Sequence, residues 1–308
     1  MTSFRQDSVR VLVPASSANL GSGFDSAGLA LALEDELVAT VTAEPGVVVR
    51  VSGEGAGEVP VDESHLVMRA MNALFDAVGV RPAGLVLECT NRIPHGRGLG
   101  SSAAAIIGGM VLARALLADE GRRPTDLELL RTALVMESHP DNLSAALAGG
   151  ATIAWIGADG TPDFVRRIPH QRVSPVIAIP NEALQTKTAR LALPDVVSLT
   201  DAVHNLSRAA LLMYALSEDP DRLLAATDDR VHQRSRSSMY PESFSLMCRL
   251  REAGVAAFIS GAGPSVLALA DCDEQLMAGL APSGWSTRSL AVSSLGAREV
   301  GRDLPAAM

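Results

Sequence analysis

An α+β architecture in two domains is the plan written into this chain of 308 residues. Strand-like and helix-like segments follow one another without the regular alternation that builds a doubly wound sheet. The length suits one large domain or two medium ones. A charged, proline-containing stretch over residues 159–172 is the best place to divide it, giving domains 1–165 and 166–308. No internal repeat or low-complexity segment interrupts this plan.

Residues 9–13 alternate weakly and read as a strand. Residues 37–43 and 47–51 read as a hairpin turned at Glu44, Pro45 and Gly46. Apolar positions at helical spacing (Leu66, Ala70, Ala73, Leu74, Ala77) predict a helix over 62–79 that stops at Gly79. A strand at 84–89 runs into a glycine-rich loop and a helix over 101–118. A further helix runs from about Pro124, well placed for a first turn, to about Met136. Residues 151–156 and 176–179 read as strands, followed by helices near 198–217, 219–227 and 242–253. A strand pair around Gly261, Ala262 and Gly263, a helix near 273–280 and a strand near 285–292 complete the chain.

Apolar residues make up 47% of the chain and charged residues 20%, as in ordinary packed proteins. Aromatics are only 3%, so Ala, Val and Leu must fill the core. A net charge of −9 argues against nucleic-acid and membrane-surface partners, which need a basic face. Cys89, Cys248 and Cys272 are widely spaced and match neither a metal-binding nor a disulfide pattern, as expected for reduced thiols in the cytoplasm. The first residues lack the apolar core of a signal peptide, and Arg114 interrupts the longest apolar stretch. A soluble, cytoplasmic protein is expected.

The most informative stretch is 94–104, where Gly96, Gly98 and Gly100 precede Ser101 and Ser102 and a long apolar helix. A glycine-rich turn opening a helix offers bare N–H groups and the positive end of the helix dipole to an anion. The bland alternative is a tight helix start with a serine cap. The coincidence of glycines, paired serines and long helix favours a phosphate cradle. It is not the common P-loop, because no lysine follows the last glycine and the single lysine, Lys187, lies far away in the sequence. Charge neutralisation falls to a metal, to arginine and to the helix end.

Five other segments carry polar chemistry, each with a structural alternative. The loop 14–25, with Asn19 and Asp25, is either a turn or the wall of a small polar pocket. The cluster 137–142 offers Glu137, His139, Asp141 and Asn142 as helix-end groups or as acid–base residues. Thr186, Lys187, Thr188 and Arg190 form either a solvated turn or a carboxylate site. His232, Gln233, Arg234, Ser235 and Arg236 look like an exposed polar turn. The small residues at 260–265 let a backbone or a phosphate approach a strand–turn–strand.

In this order the clusters resemble the small-molecule kinase superfamily of galactokinase, homoserine kinase, mevalonate kinase and phosphomevalonate kinase, the GHMP kinases. Its three motifs match the loop after the first strand, 94–104 and 260–265. The versions at 16–25, 139–142, 186–190 and 201–208, with His232, Gln233 and Arg236, resemble the homoserine kinase branch. The likeness runs over about residues 9–270.

The resemblance implies an N-terminal domain with a left-handed βαβ unit, a ferredoxin-like C-terminal domain and an active site between them. It implies a transferase that uses ATP and Mg2+ to phosphorylate the hydroxyl of L-homoserine for threonine biosynthesis, working as a homodimer. The rival readings are a kinase of another small hydroxy amino acid or alcohol, and a non-catalytic ligand sensor. By motif position, Pro94, Gly96, Arg97, Gly98, Leu99, Gly100, Ser101, Ser102, Ala103 and Ala104, with Gly261 and Gly263, would surround the nucleotide. Ser102 and Glu137 would ligate magnesium. Asn19 and Asp25 would hold the hydroxyl end or the ammonium of homoserine, and Arg190 and Arg236 its carboxylate, with Thr186, His139 and Asn142 nearby.

Relatives resembling mevalonate kinase place an aspartate as base where this chain has Asn142, whose amide cannot take a proton. A loose phosphoryl-transfer transition state asks little of a base, so none is expected, Asp141 being the nearest contender. Four positions depart from the pattern: Ser22 replaces a common proline, and His65 a frequent adenine-contacting asparagine. No aromatic precedes Arg236, and Arg97 adds a charge directed to phosphate or to solvent.

Overall fold

The computed structural model describes residues 4–184 and 186–301, without the side chains of Thr186 and Lys187. Val9, Val11, Val13 and Ala15 alternate inward along β1 (Val9–Ala18), which sits between two antiparallel neighbours. One neighbour is the long β2 (Ala27–Thr42), whose register with β1 slips at Pro14/Ala15. After β3 (Gly46–Gly53) come α1 (Leu66–Val78) and β4 (Gly84–Asn91).

The expected hairpin does not form, because β4 inserts between its two arms, antiparallel to β2 and parallel to β3. A parallel pair needs a crossover, and the amphipathic α1 provides it. The insertion depends on Gly84, where a Cβ would lie 1.9 Å from the Glu44 carbonyl oxygen. The α1 helix also starts later than its periodicity suggests. Asp62 draws in the N–H and hydroxyl of Ser64 as a turn, and His65 caps the helix by accepting the Val67 N–H at 3.3 Å.

The helix α2 (Ser101–Leu116) is apolar nearly all round and buried against β1, β2 and α1. A capping box between Thr125 and Glu128 starts α3 (Asp126–Ala133), and Pro140 opens α4 (Pro140–Ala148). The sheet then continues through β5 (Ala151–Ile156) into β6 (Pro162–Arg167), which pairs with β5 along its length. The stretch expected as a linker is therefore partly a strand. Its charged side chains face solvent while its backbone joins the ladder, so composition alone reads as a boundary.

The second sheet and the helices around it begin with β7 (Val176–Ile179), then α5 (Thr186–Arg190), α6 (Leu199–Ser217), α7 (Leu223–Ala226) and α8 (Pro241–Glu252). They are completed by β8 (Ala257–Ile259), β9 (Val266–Ala268), α9 (Glu274–Leu280) and β10 (Ser286–Ser289). The order β10-β7-β9-β8, with every neighbour antiparallel, is the ferredoxin-like arrangement. Both faces of its central strand β7 are buried. Val176 and Ala178 pack with α8 and α9, while Ile177 and Ile179 join the core of the first sheet. The chain then returns to the first sheet: Ser293 donates to the Ala30 carbonyl, and β11 (Arg298–Glu299) pairs with β1. The N-terminal unit thus includes the end of the described chain.

Candidate active site

Three backbone segments meet where β1 ends. The Ser16 N–H donates to the Leu99 carbonyl at 3.0 Å, and the Gly261 N–H to Ala18 at 3.1 Å. Asn19 returns an amide hydrogen to the Gly261 carbonyl at 2.9 Å. Ser260 donates to the Gly98 carbonyl at 2.6 Å and lies 2.8 Å from the Ser17 hydroxyl. These bonds hold the loop after β1, the 94–104 loop and the β8–β9 turn around one cleft of about 330 Å³.

The glycines of the 94–104 loop are there for conformation and for space. Gly96, Gly98 and Gly100 have φ of 66°, 74° and 70°, a region costly for other residues. A Cβ on Gly98 would stand 2.2 Å from the Ser260 carbonyl oxygen, and one on Gly100 2.1 Å from Ser16 Oγ. Gly100 is the N-cap of α2 and brings no capping side chain, so the first turn faces the cleft with its dipole uncovered. Ser101, Ser102 and Ala103 line the cleft there.

On the far wall stand the groups of opposite sign. Asp25, itself at φ 55°, is anchored through its N–H to Asn19 Oδ1 at 3.0 Å. Arg190 donates from Nη2 to both Asp25 oxygens, while its Nε is buried with no partner among the described residues. Arg236 is 2% exposed and donates from Nε to the Ala189 carbonyl. Both guanidinium groups lie over the Phe24 ring, at 5.6 and 5.4 Å from its centroid. The other neighbour of that ring is His232, stacked at 4.8 Å.

The cluster 232–236 is not the exposed turn its composition suggests: His232, Gln233 and Arg236 are buried. The buried Asp229 makes this possible by accepting the N–H groups of Val231, His232 and Gln233 and an amide hydrogen of Asn205. His232 donates from Nε2 to the Gly21 carbonyl and accepts from Arg236 at Nδ1, and burial lowers its pKa, so it is neutral. Both ring nitrogens of His232 and both oxygens of Asp229 are thus paired, which is what burial demands. The sequence pattern marks neither Phe24, whose partners are remote in the chain, nor Asp229, which turns back on its own loop and reaches Asn205.

The third wall comes from the start of α4. Glu137 Oε1 and His139 Nδ1 are 3.2 Å apart and both residues line the cleft. Asn142 accepts from the Ser16 hydroxyl at 2.9 Å. Asp141, fully buried, accepts the Asn142 N–H at 2.7 Å, and burial pushes its carboxyl up to about 6, with Asp25 adding to the effect.

Of the sequence-selected residues, Asn19, Asp25, Gly96, Gly98, Gly100, Ser101, Ser102 and Ala103 line this cleft. Glu137, His139, Asn142, Arg190, Arg236, Gly261 and Gly263 line it too. Pro94, Leu99 and Ala104 are buried behind it. The half-buried Arg97 donates from its guanidinium to the carbonyls of His95, Pro180 and Asn181. Its charge thereby ties the loop to the second sheet. The Thr186 side chain lies outside the described residues.

Comparison with known proteins points the same way. The family model described as the GHMP kinases N terminal domain matches residues 65–150, and that of the GHMP kinases C terminal domain matches 204–276. Homoserine kinase of Streptomyces avermitilis is 47% identical over 295 residues, covering 96% of this chain and 96% of its own. That of Mycolicibacterium smegmatis is 49% identical over 267 residues, covering 84% and 83%. The crystal structure of homoserine kinase from Cytophaga hutchinsonii superposes with a TM-score of 0.84 at 26% identity, over 97% of this chain and 99% of that one.

Proposed function

The chain belongs to the homoserine kinases of the GHMP kinase family, and from that premise we propose how its own residues move the γ-phosphoryl group of ATP to the side-chain hydroxyl of L-homoserine. The product is O-phospho-L-homoserine, a step of threonine biosynthesis. One observation carries the reading. A single cleft joins an uncapped helix start, suited to phosphates, to a carboxylate and two arginines suited to an amino acid's two charges.

In this reading the N–H groups opening α2 hold the phosphates, with Gly98 and Gly100 allowing close approach. Ser102 and Glu137 are hard oxygen donors that fit Mg2+. Mg2+ at a nucleotide is held mainly by phosphates with one or two protein oxygens, a number these two residues supply. When bound, magnesium would neutralise charge between the β- and γ-phosphates. Asp25 receives the substrate ammonium, and Arg190 and Arg236 its carboxylate. His139 and Asn142 orient the hydroxyl from the α4 side.

The hydroxyl oxygen bonds to the γ-phosphorus as the bond to the bridging oxygen breaks, and ADP leaves. The hydroxyl proton passes to a phosphoryl oxygen, so no side-chain base is assigned, and positioning does most of the work. Homodimerisation is part of the same proposal. The exposed Leu199, Val203 and Leu206 along α6 give it an apolar surface, and light scattering measures it. A cytoplasmic location agrees with three free cysteines, and no described helix is long and apolar enough to cross a membrane.

A coupled ADP-release assay across homoserine, threonine, serine, mevalonate and galactose tests the assignment. Turnover with homoserine well above the others is expected. Turnover of mevalonate or galactose alone rejects homoserine as the acceptor, and ATP binding without turnover of any acceptor supports a sensor.

A further inference from the structure

Asp35 breaks the pattern of its own strand. It shares the buried face of β2 with Leu37 and Ala39, opposite Val13 of β1, and is only 5% exposed. Its neighbours Glu34 and Glu36 pair with Arg298 and Arg10. The β2–β4 ladder ends at Glu36–Thr90, and beyond it Asp35 takes over. Its Oδ1 accepts the N–H of Arg92 at 2.6 Å and of Ile93 at 2.9 Å. A carboxylate thus occupies a core position at the point where the chain leaves the sheet for the 94–104 loop.

We infer that Asp35 is a positioning residue for the nucleotide, its negative charge fixing the root of the loop whose backbone holds the phosphates. The inference rests on the kinase reading. A buried carboxylate is costly next to an apolar residue, and sites that break a local rule are where function is to be sought. The charged form strengthens both N–H bonds, and protonation weakens them. The groups facing it are the Cys89 thiol from β4 and Arg92 and His95 from the loop, while α2 contributes only apolar atoms to this part of the core. Burial outweighs the two N–H bonds and the nearby positive groups and pushes the carboxyl up to about 6. Asp35 is therefore ionised at pH 7.5 and loses its charge as pH falls through about 6.

Asp35→Asn keeps size and an acceptor oxygen and removes the charge. At pH 7.5 it should raise the KM for ATP about tenfold, the order of the difference between charged and neutral acceptors, and leave the KM for homoserine within about twofold. The ratio of variant to wild-type KM for ATP should fall toward one as pH drops through about 6, with ATP's own ionisation cancelling. Amide exchange, corrected for intrinsic rate, should be faster in the variant at 92–100 but not at 84–89, and this readout needs no turnover. An unchanged KM for ATP, equal rises in both KM values, a pH-independent ratio or unchanged exchange at 92–100 would each overturn the role. If the wild type fails to phosphorylate homoserine while the exchange result holds, the functional reading fails and the anchoring of the loop stands. Should Asp35→Asn not fold, the wild type alone decides: protection at 92–100 must drop between pH 7.5 and 5.5 relative to 84–89.

Discussion

Arg190 meets Asp25 with one guanidinium nitrogen 2.7 and 2.8 Å from the two carboxylate oxygens. The two residues assigned to opposite ends of the amino acid therefore satisfy one another. Homoserine, carrying both charges, can replace this pair by two pairs.

Both side chains are 35% exposed, so solvent screening leaves the pair worth no more than about 1 kcal/mol to the fold. Asp25→Ala and Arg190→Ala should accordingly move the melting temperature by only a few degrees. Each should raise the KM for homoserine at least about tenfold, the scale of losing one charge-assisted contact. Steady-state kinetics beside thermal melts would check the split. A large loss of stability with a small change in KM would remove the pair from the substrate site.

Arg236 is tied down differently. Its Nε donates to the Ala189 carbonyl, and its plane lies over Phe24. A lysine supplies charge but neither the fork nor the stacking plane. Arg236→Lys should therefore fail to restore the KM for homoserine lost in Arg236→Ala, while the KM for ATP stays near wild type in both. Full rescue by lysine would mean that charge alone matters there.

Ser102→Ala and Glu137→Ala should act on turnover. Each removes an oxygen assigned to magnesium, and kcat should drop on the order of a hundredfold, the scale of losing one group that stabilises transition-state charge. The magnesium concentration for half-maximal rate should rise as well. An unchanged magnesium requirement in both variants would sink the assignment.

Asp141 tests the absence of a base. Burial raises its carboxyl to about 6, above the ordinary carboxylate value, so the fold favours its protonated form. The resulting stability is complete below about pH 4 and lost as pH rises through about 6. Asp141→Asn should flatten that part of the stability–pH curve and leave the protein no less stable at pH 7.5. A general base contributes about 10²–10⁴ in rate, so a loss of kcat under tenfold is expected. A loss of a thousandfold, with the kcat limb near pH 6 abolished, would make Asp141 the base.

Much of this was legible in the chain because its signals are local. The glycines before Ser101 and Ser102, the strand at 176–179 and the stop at Gly79 each depend on residues only a few positions apart. The clusters at 14–25, 137–142 and 186–190 are visible as polar chemistry, yet composition leaves both a structural and a functional reading open for each. The composition of 232–236 suggests an exposed turn, whereas the Asp229 carboxylate of the same loop, Asn205 of α6 and the Gly21 carbonyl bury it.

Short-range conformational preference and amphipathic period thus settled most element types and the glycine-rich helix start, and the motifs in their order carried the resemblance to the family. Pairing and burial are decided by contacts between distant residues. The insertion of β4 beside Gly84, the Arg97 ties to the second sheet and the Asp35 anchor each needed two or three separated segments in place. Hydrogen bonds and close approach depend on position in space, and a linear pattern carries that information only where the partners are near neighbours.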